Sequence, residues 1–387
     1  ARSMTPTSYS RRTLLRMGGT AAAAALASRC ASRLPAYDVE PPTPGAARAR
    51  PLERVDVAPD RIIRRVVGLR PFRPSGFVVR AESLGDKLLV HNYGHGGAGV
   101  TLSWGTAGLA ADLVRESGRT GSAAVLGCGA VGLATARVLQ DRGFDVTIYA
   151  RDLPPNTTSN AAGAMWFPSS LFDRGRRPPE WDAQFERAQR TSHRAFQALV
   201  GADYAVCWRE LFNLSNDPGD NGLPDWGLPE LYPRRRMLPA TDNPFAAAHV
   251  VSEYTLFIEP PTYLRALTRD FHLAGGRIVV RAFGAAAEIA GLAQPVVVNC
   301  TGLGARELFG DTELVPVKGQ LTVLLPQPGV DYAVESGSLY MFPRSDGILL
   351  GGTFEKGVES LEPDLEAEKR ILARQRAIFD GMKSAPA

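Results

Sequence analysis

One short run constrains this 387-residue chain more than any other. It is Gly127-Cys128-Gly129-Ala130-Val131-Gly132, a GxGxxG turn. Upstream, Ser122 to Gly127 is a short apolar run that reads as a strand ending in glycine. Downstream, Leu133 to Gln140 has helical spacing, Asp141-Arg142-Gly143 stops it, and Phe144 to Ala150 reads as a second strand. Strand, glycine turn, helix and strand within about 28 residues is the setting in which this motif holds a dinucleotide. Gly127 permits the tight turn, Gly129 lets the backbone approach a pyrophosphate, and Gly132 allows close helix–strand packing. The helix start, from Ala130 and Val131, offers free N–H groups to phosphate oxygens. Without both flanking strands the run would say no more than that a glycine-rich turn sits in an α/β sheet. Arg151-Asp152 follows the second strand, where a carboxylate is expected to grip ribose hydroxyls. Asp152 suits that role, and Arg151 suits the adenine or a phosphate. The turn alone does not choose between FAD and a nicotinamide cofactor.

The rest of the composition narrows the class. The chain is 44% hydrophobic and 22% charged, ordinary for a globular protein of two or three domains. Cys30, Cys128, Cys207 and Cys300 are too scattered for a disulfide scaffold or a zinc site. The formal +4 misleads. Residues 1–50 hold eight arginines against Asp38 and Glu40, so they carry +6 and the remaining 337 residues sum to −2. That balance removes the main support for binding nucleic acid.

The basic N-terminal stretch has a pattern of its own. Ser10-Arg11-Arg12-Thr13-Leu14-Leu15-Arg16 precedes Met17 and the weakly apolar run Ala21 to Ala27. A paired arginine before about ten weakly apolar residues reads as a twin-arginine export signal, too short to span a bilayer. A disordered basic tail is the alternative. Residues 1–50 are therefore expected to be signal and linker, with the protein outside the cytosol, periplasmic or extracellular. Cys30 faintly resembles a lipid-attachment cysteine, although Arg29 before it fits poorly. Met4 is a candidate start.

A second glycine cluster lies upstream. It reads Leu88-Leu89-Val90-His91-Asn92-Tyr93-Gly94-His95-Gly96-Gly97-Ala98-Gly99-Val100-Thr101, continuing to Gly105. Gly68-Leu69-Arg70-Pro71-Phe72-Arg73-Pro74 comes before it, with Arg70 21 residues ahead of His91. Beyond Ala150 come Thr157-Thr158-Ser159-Asn160, then Gly163-Ala164-Met165-Trp166, Val298 to Gly302, Lys318-Gly319-Gln320, Ser338 to Pro343, and Gly351 to Phe354. Together these strings resemble the D-amino acid oxidase family, which includes the D-aspartate oxidases. The resemblance covers about residues 55–382. Its order is unusual. In the family the GxGxxG opens the chain and the His91–Gly99 string closes it, whereas here residues 60–115 precede Gly127. The chain thus resembles a circular permutant joined through Ser117 to Gly121; a mis-joined gene is the other explanation. Termini close on a surface tolerate such a joint.

The resemblance implies an FAD-dependent enzyme that oxidises D-amino acids to 2-oxo acids, with ammonia and hydrogen peroxide as products. Substrate and O₂ are its small-molecule partners, the twin-arginine machinery its export partner, with a homodimer as the candidate assembly. Hydride passes from substrate Cα to flavin N5, so the expected site holds anchors rather than an acid–base pair. Arg70 is the expected carboxylate anchor, because its planar fork matches a carboxylate in two hydrogen bonds. Tyr340 is expected to contact the same carboxylate, and Gly97 to offer its carbonyl to the substrate amine. Gly96, Gly97, Ala98, Gly99, Val100 and Thr101 are expected along the isoalloxazine. Thr157, Thr158 and Ser159 are expected on phosphate or ribose, with Ala164, Met165 and Trp166 near the ring. Arg73, His91 and His95 read as structural, and no His-x-x-x-His metal site follows. Lys318 stands where the family usually has arginine. Only 20 residues separate Gln320 from Tyr340, so the family's lid is expected to be short. A second tyrosine would fall at Ser336, for which Tyr332 is a substitute. Acidic substrates would need another cation, for which Lys356, Arg344 and Arg236 are available.

The expected fold class is α/β: a Rossmann-like FAD-binding domain interleaved with an α+β substrate domain carrying a mixed, largely antiparallel sheet. The first would comprise 80–165, 295–310 and 348–353. The second would comprise 60–78, 166–290 and 315–346, and a C-terminal helix would occupy 361–382. Two rivals remain at this stage. One is a D-amino acid dehydrogenase passing electrons to a quinone, and the other is an inactive FAD-binding homologue.

Overall fold

The structure, a computed structural model, describes residues 51–383 apart from 221 and 225. The expected export signal, linker and Cys30 lie outside the described residues. The chain begins with β1 (Ile62–Phe72), β2 (Val78–Leu84), β3 (Lys87–Tyr93), α1 (Gly99–Glu116), β4 (Ser122–Leu126), α2 (Ala130–Asp141), β5 (Asp145–Ala150) and α3 (Pro179–Ala198). It continues with β6 (Val206–Ser215), β7 (Arg236–Met237), β8 (His249–Ile258), α4 (Pro260–Leu273), β9 (Arg277–Val280), α5 (Ala286–Ala290), β10 (Val296–Asn299) and α6 (Ala305–Phe309). It ends with β11 (Val315–Leu324), β12 (Tyr332–Ser336), β13 (Leu339–Arg344), β14 (Gly347–Gly351), β15 (Glu355–Lys356) and α7 (Leu365–Asp380).

Two sheets organise these elements. The smaller has the order β2-β3-β10-β4-β5-β9. Its four central pairings from β3 to β9 are parallel, and β2 is an antiparallel edge. Parallel strands are expected to be apolar on both faces, because crossover helices cover both. Here Val90, Val125 and Ile148 pack toward α1 and α2, while Leu89, Ala124 and Val297 pack toward Ile289 and Leu292. The larger sheet runs β1-β11-β14-β13-β12-β6-β8-β7, with β15 on β11. All its pairings are antiparallel except β12 with β6, so it is mixed and largely antiparallel.

Two differences from the sequence expectation concern which sheet a segment joins. Residues 348–353, expected with the dinucleotide sheet, contain most of β14, which is hydrogen-bonded between β11 and β13 in the larger sheet. Residues 260–280, expected with the substrate sheet, belong to the smaller one: β9 pairs in parallel with β5, and Leu264, Leu267 and Phe271 enter the core beneath it. Periodicity identifies a strand but not its partner, which is why both assignments missed. The stretch expected to hold a short lid consists of short connections between strands of the larger sheet. Residues 325–331 join β11 to β12, and Gly337-Ser338 closes the β12–β13 hairpin.

The ends of the described chain lie together. Arg54 hydrogen-bonds the Met382 carbonyl, Arg376 Nε donates to the Val57 carbonyl at 2.9 Å, and Arg65 grips Glu368 at 2.7 and 2.8 Å. Among the described residues no helix is long and apolar enough to cross a membrane.

Helix α1 is held against α3 by a contact that admits no side chain. A Cβ on Gly105 would lie 2.1 Å from the Ala188 carbonyl oxygen, and the Gly105 amide donates to Ser192 Oγ at 2.9 Å. Gly105→Ala is expected to force the helices apart and to cost about 1–3 kcal/mol, as over-packing does. Thermal denaturation would show it, with Gly118→Ala, where a Cβ meets nothing but φ is +69°, as the strain-only comparison.

Candidate active site

A cleft of about 1100 Å³ opens where the C-terminal ends of β3, β4, β5 and β10 face the larger sheet. That is where a parallel α/β sheet presents helix N-termini and loops to a ligand. The glycine turn after β4 forms its floor. Gly127 has φ +109°, and a Cβ there would lie 2.5 Å from the Cys300 carbonyl oxygen. A Cβ on Gly132 would lie 2.1 Å from the Gly127 carbonyl oxygen. Only glycine fits these positions, so the α2 N-terminus abuts the turn and its amides face the cleft. Gly129 occupies the N-cap without a side chain to cap the helix. Ser159 reaches it instead, accepting from the Ala130 amide at 2.9 Å.

The second glycine run forms a wall. Gly94 and Gly96 have φ of +81° and +54°. A Cβ on Gly96 or Gly97 would lie 2.1 or 2.8 Å from the carbonyl oxygens of Ser170 and Ser169. The Gly97 amide donates to Ser170 at 3.0 Å, and Gly97 itself is exposed to the cleft. Helix α1 starts at Gly99, so its N-terminal amides also meet the cleft.

The expected site residues other than Ala98 and Trp166 line this cleft: Arg70, Tyr340, Gly96, Gly97, Gly99, Val100, Thr101, Gly127, Gly129, Ala130, Val131, Gly132, Arg151, Asp152, Thr157, Thr158, Ser159, Ala164 and Met165. Ala98 is one exception. Its methyl turns away from the cleft and is fully buried in the core. Trp166, expected near the ring, is also fully buried, behind Met165. Ala164 has φ +58°, strained for a residue with a Cβ, and it holds the cleft wall to β8 through its carbonyl, which accepts from Ile258 at 2.9 Å. Arg151 and Asp152 pair with each other at 2.8 Å at the rim. The expectation missed Thr301, Gly302, Thr353 and Glu335, which also line the cleft. Thr301 and Gly302 could have been found, since they follow an apolar strand of the parallel sheet.

Arg70 and Tyr340 meet on one face of the larger sheet, although three strand steps separate β1 from β13. Glycines between them leave the room. The Arg70 guanidinium lies over Gly319, where a Cβ would be 2.6 Å from Nη2, and Nη1 donates to the Thr353 carbonyl at 3.1 Å. The Tyr340 ring lies over Gly351, where a Cβ would be 2.0 Å from Cζ. Burial raises the Tyr340 hydroxyl above its ordinary range, and the neighbouring Arg70 only partly opposes this, so the phenol stays protonated.

The remaining candidates are occupied elsewhere. Arg73 binds Asp311 at 2.9 Å and pairs with Glu313. Burial would raise Asp311, but Tyr93 and Arg73 outweigh it and hold the carboxylate below its usual range. Tyr332 points into the opposite core and donates to the Glu53 carbonyl at 2.6 Å, so it cannot replace a tyrosine at Ser336. Lys356 pairs with Asp173 at 2.9 Å, Arg344 with Asp346 at 2.6 Å and Arg236 with Asp242 at 3.8 Å, and none of the three lines the cleft. Cys300 lines it, but burial pushes its thiol up to about 12, so it is protonated and a poor nucleophile.

This is the geometry of a dinucleotide-binding protein whose ligand extends onto a second, substrate-facing sheet. Comparison with known proteins makes the class specific. The family described as FAD dependent oxidoreductase matches residues 4–113 and 122–386. The chain is 34% identical over 275 residues to a D-amino-acid oxidase of Rubrobacter xylanophilus, covering 68% of this chain and 78% of that one. It is 30% identical over 276 residues to a D-aspartate oxidase of Homo sapiens, covering 69% and 78%. In fold it is similar to the glycine oxidase of Geobacillus kaustophilus, with TM-score 0.51, 19% identity and coverage of 68% and 80%. The chain belongs to the FAD-dependent oxidoreductase family, and its cofactor is FAD. The residues present fit that group: a side-chain-free turn for the pyrophosphate, helix N-termini for its charge, and a glycine wall for a planar ring.

Two outcomes follow. Gly132→Val is expected to weaken FAD binding by about a hundredfold or more, measured as loss of flavin absorbance from the purified protein and titration of FAD into the stripped protein. The second concerns pH. Burial lowers His95 to about 3, and His91 and His193 are lowered by burial as well. Unfolded imidazoles titrate near 6.5, so as pH falls below that value the unfolded state takes up protons first and stability declines toward pH 3. The urea midpoint is expected to be lower at pH 5 than at pH 7.5, with a smaller difference in His95→Gln.

Proposed function

We propose that this protein oxidatively deaminates D-amino acids: D-amino acid, O₂ and water give 2-oxo acid, ammonia and hydrogen peroxide. The observation that carries the reading is the convergence of Arg70 and Tyr340 at the mouth of a glycine-walled flavin cleft. Relatives named D-amino-acid oxidase and D-aspartate oxidase support it. Bound FAD, held by the glycine turn after β4 and the glycine wall, would supply the acceptor for the Cα hydride and the route for its electrons to O₂. The chain's own task is then to hold one face of Cα toward the ring. Arg70, steadied by Thr353, presents two N–H groups to the substrate carboxylate. Tyr340, kept protonated, donates its hydroxyl to the same carboxylate. The Gly97 carbonyl accepts from the amine, and its exposure to the cleft allows that. Two fixed points and the ring leave the Cα hydrogen of one enantiomer facing the flavin, which gives both chirality and proximity. The amides at the starts of α1 and α2 favour negative charge on the ring and the pyrophosphate respectively.

Arg70→Ala is expected to lower kcat/KM for D-amino acids by about a hundredfold or more, roughly 2.8 kcal/mol, with FAD still bound. Peroxide release from D-isomers and not L-isomers, lost in this variant, is the measurement. Flavin bleached anaerobically by substrate without peroxide in air would favour a quinone-linked dehydrogenase instead. Gly351→Ala is expected to act in the same direction, because the new methyl displaces the Tyr340 ring.

Our reading includes a circularly permuted chain and export by the twin-arginine route. The two-block family match, broken at 114–121, supports the first, as does the contact between the two described ends at Arg54 and Met382. A peptide spanning residues 116–122 in the native protein is expected, and its absence would overturn the joint. Residues 1–50 fused to a reporter are expected to export it only where the twin-arginine machinery is intact.

A further inference from the structure

Strand β12 alternates faces. Tyr332 and Val334 enter the core with Phe212 and Met341, while Ala333 turns to the opposite face. Glu335 shares that face and lines the cleft. It lies directly across the ladder from Tyr340, so its side chain stands about one strand spacing, ~4.8 Å, beyond the anchor. Part of the surrounding face is apolar, with Leu211, Phe257, Phe342 and Leu349, while on β6 Glu335 lies across from Asn213, which donates to Glu253, itself paired with Arg235.

Among the described residues the fully buried carboxylates are matched. Glu253 holds Arg235 and Asn213, and Glu368 holds Arg65. Glu335 has no hydrogen bond or ion pair among the described residues. Burial pushes its carboxyl up to about 7, and no cation counters this. Arg70 on β1 and Glu335 on β12 reach Tyr340 from opposite directions along the strand order, β1-β11-β14-β13-β12. Glu335 is half-buried at the cleft surface, where a cation closing over it would gain a partially desolvated ion pair. Around Tyr340 the cleft thus offers a cation for a carboxylate at one side, Arg70, and a carboxyl at the other, Glu335.

Building on the D-amino acid reading above, we infer that Glu335 selects the substrate side chain, favouring D-amino acids whose side chain ends in a cation, such as D-lysine and D-ornithine, and rejecting D-aspartate and D-glutamate. The side chain would run past Tyr340 along the apolar face, covering its methylenes, and bring its ammonium to the carboxylate. Proton transfer from Glu335 to solvent accompanies that contact, and the resulting ion pair is the one the fold otherwise lacks.

The test compares isosteres. With the wild-type holoenzyme, kcat/KM from peroxide release is measured for D-lysine, D-norleucine and D-glutamate. D-lysine is expected to exceed D-norleucine by about tenfold or more and D-glutamate by about a hundredfold or more, as one buried ion pair gained or one like-charge contact suffered implies. Glu335→Gln is expected to bring the D-lysine to D-norleucine ratio to within about threefold of unity, and Glu335→Lys to reverse the order of D-lysine and D-glutamate. Flavin absorbance and the melting temperature report whether each variant folds; if neither does, the wild-type ratios decide. Turnover of D-norleucine equal to or better than that of D-lysine, or a ratio that Glu335→Gln leaves in place, overturns the assignment while the oxidase reading stands. No reduction of the flavin by any D-amino acid overturns both.

Discussion

The contact on which the structure depends is one between backbones. At Gly132 the first turn of α2 comes so close to the Gly127 carbonyl that a single methyl would lie 2.1 Å from it, and a Cβ on Gly127 would lie 2.5 Å from the Cys300 carbonyl oxygen. This locks the end of β4 to the start of α2 and to the exit of β10, three elements of one parallel sheet. The helix N-terminus and its unpaired amides are thereby aimed at a fixed point in the cleft. A site for a pyrophosphate follows from that geometry without a single charged side chain.

The same device recurs on the substrate side. Gly319 and Gly351 are the missing side chains over which Arg70 and Tyr340 lie. Neither anchor is held by its strand alone. Arg70 is steadied by the Thr353 carbonyl, and Thr353 in turn accepts from the Gln320 amide at 2.6 Å through its hydroxyl. Gln320 also clasps Asp364, the N-cap of α7. Arg70 is therefore tied through two hydrogen-bonded residues to helix α7.

Burial sets the chemistry of the polar groups. His95 is kept neutral between Phe77 and Thr106 and acts as a spacer for the glycine loop rather than as a base. His91 is likewise occupied, with Asn299 at 3.0 Å on one nitrogen and Glu82 at 3.1 Å on the other. Tyr340 is kept a donor. These are the properties of a site that binds and orients, and they agree with a reaction whose electrons travel through a cofactor.

Much of this was legible in the chain itself. The GxGxxG turn with its two flanking strands specified the dinucleotide half, because glycine positions and apolar runs are local and their geometry tolerates few alternatives. The long string from His91 to Gly99 marked the ring wall for the same reason. That the Ala98 methyl turns into the core was not legible, because a run of small residues does not say which methyl faces inward. What only the tertiary structure decided was partnership. Alternation shows that Glu335 and Val334 face opposite ways, but not which of them meets the cleft. Strand spacing does not place β14 beside β13 rather than in the dinucleotide sheet. The meeting of Arg70, Tyr340 and Glu335 is set by the register of strands from β1 to β12, more than 260 residues apart in the chain. Sequence determines local conformation through short-range sterics, whereas the register of distant strands is decided by how whole faces pack.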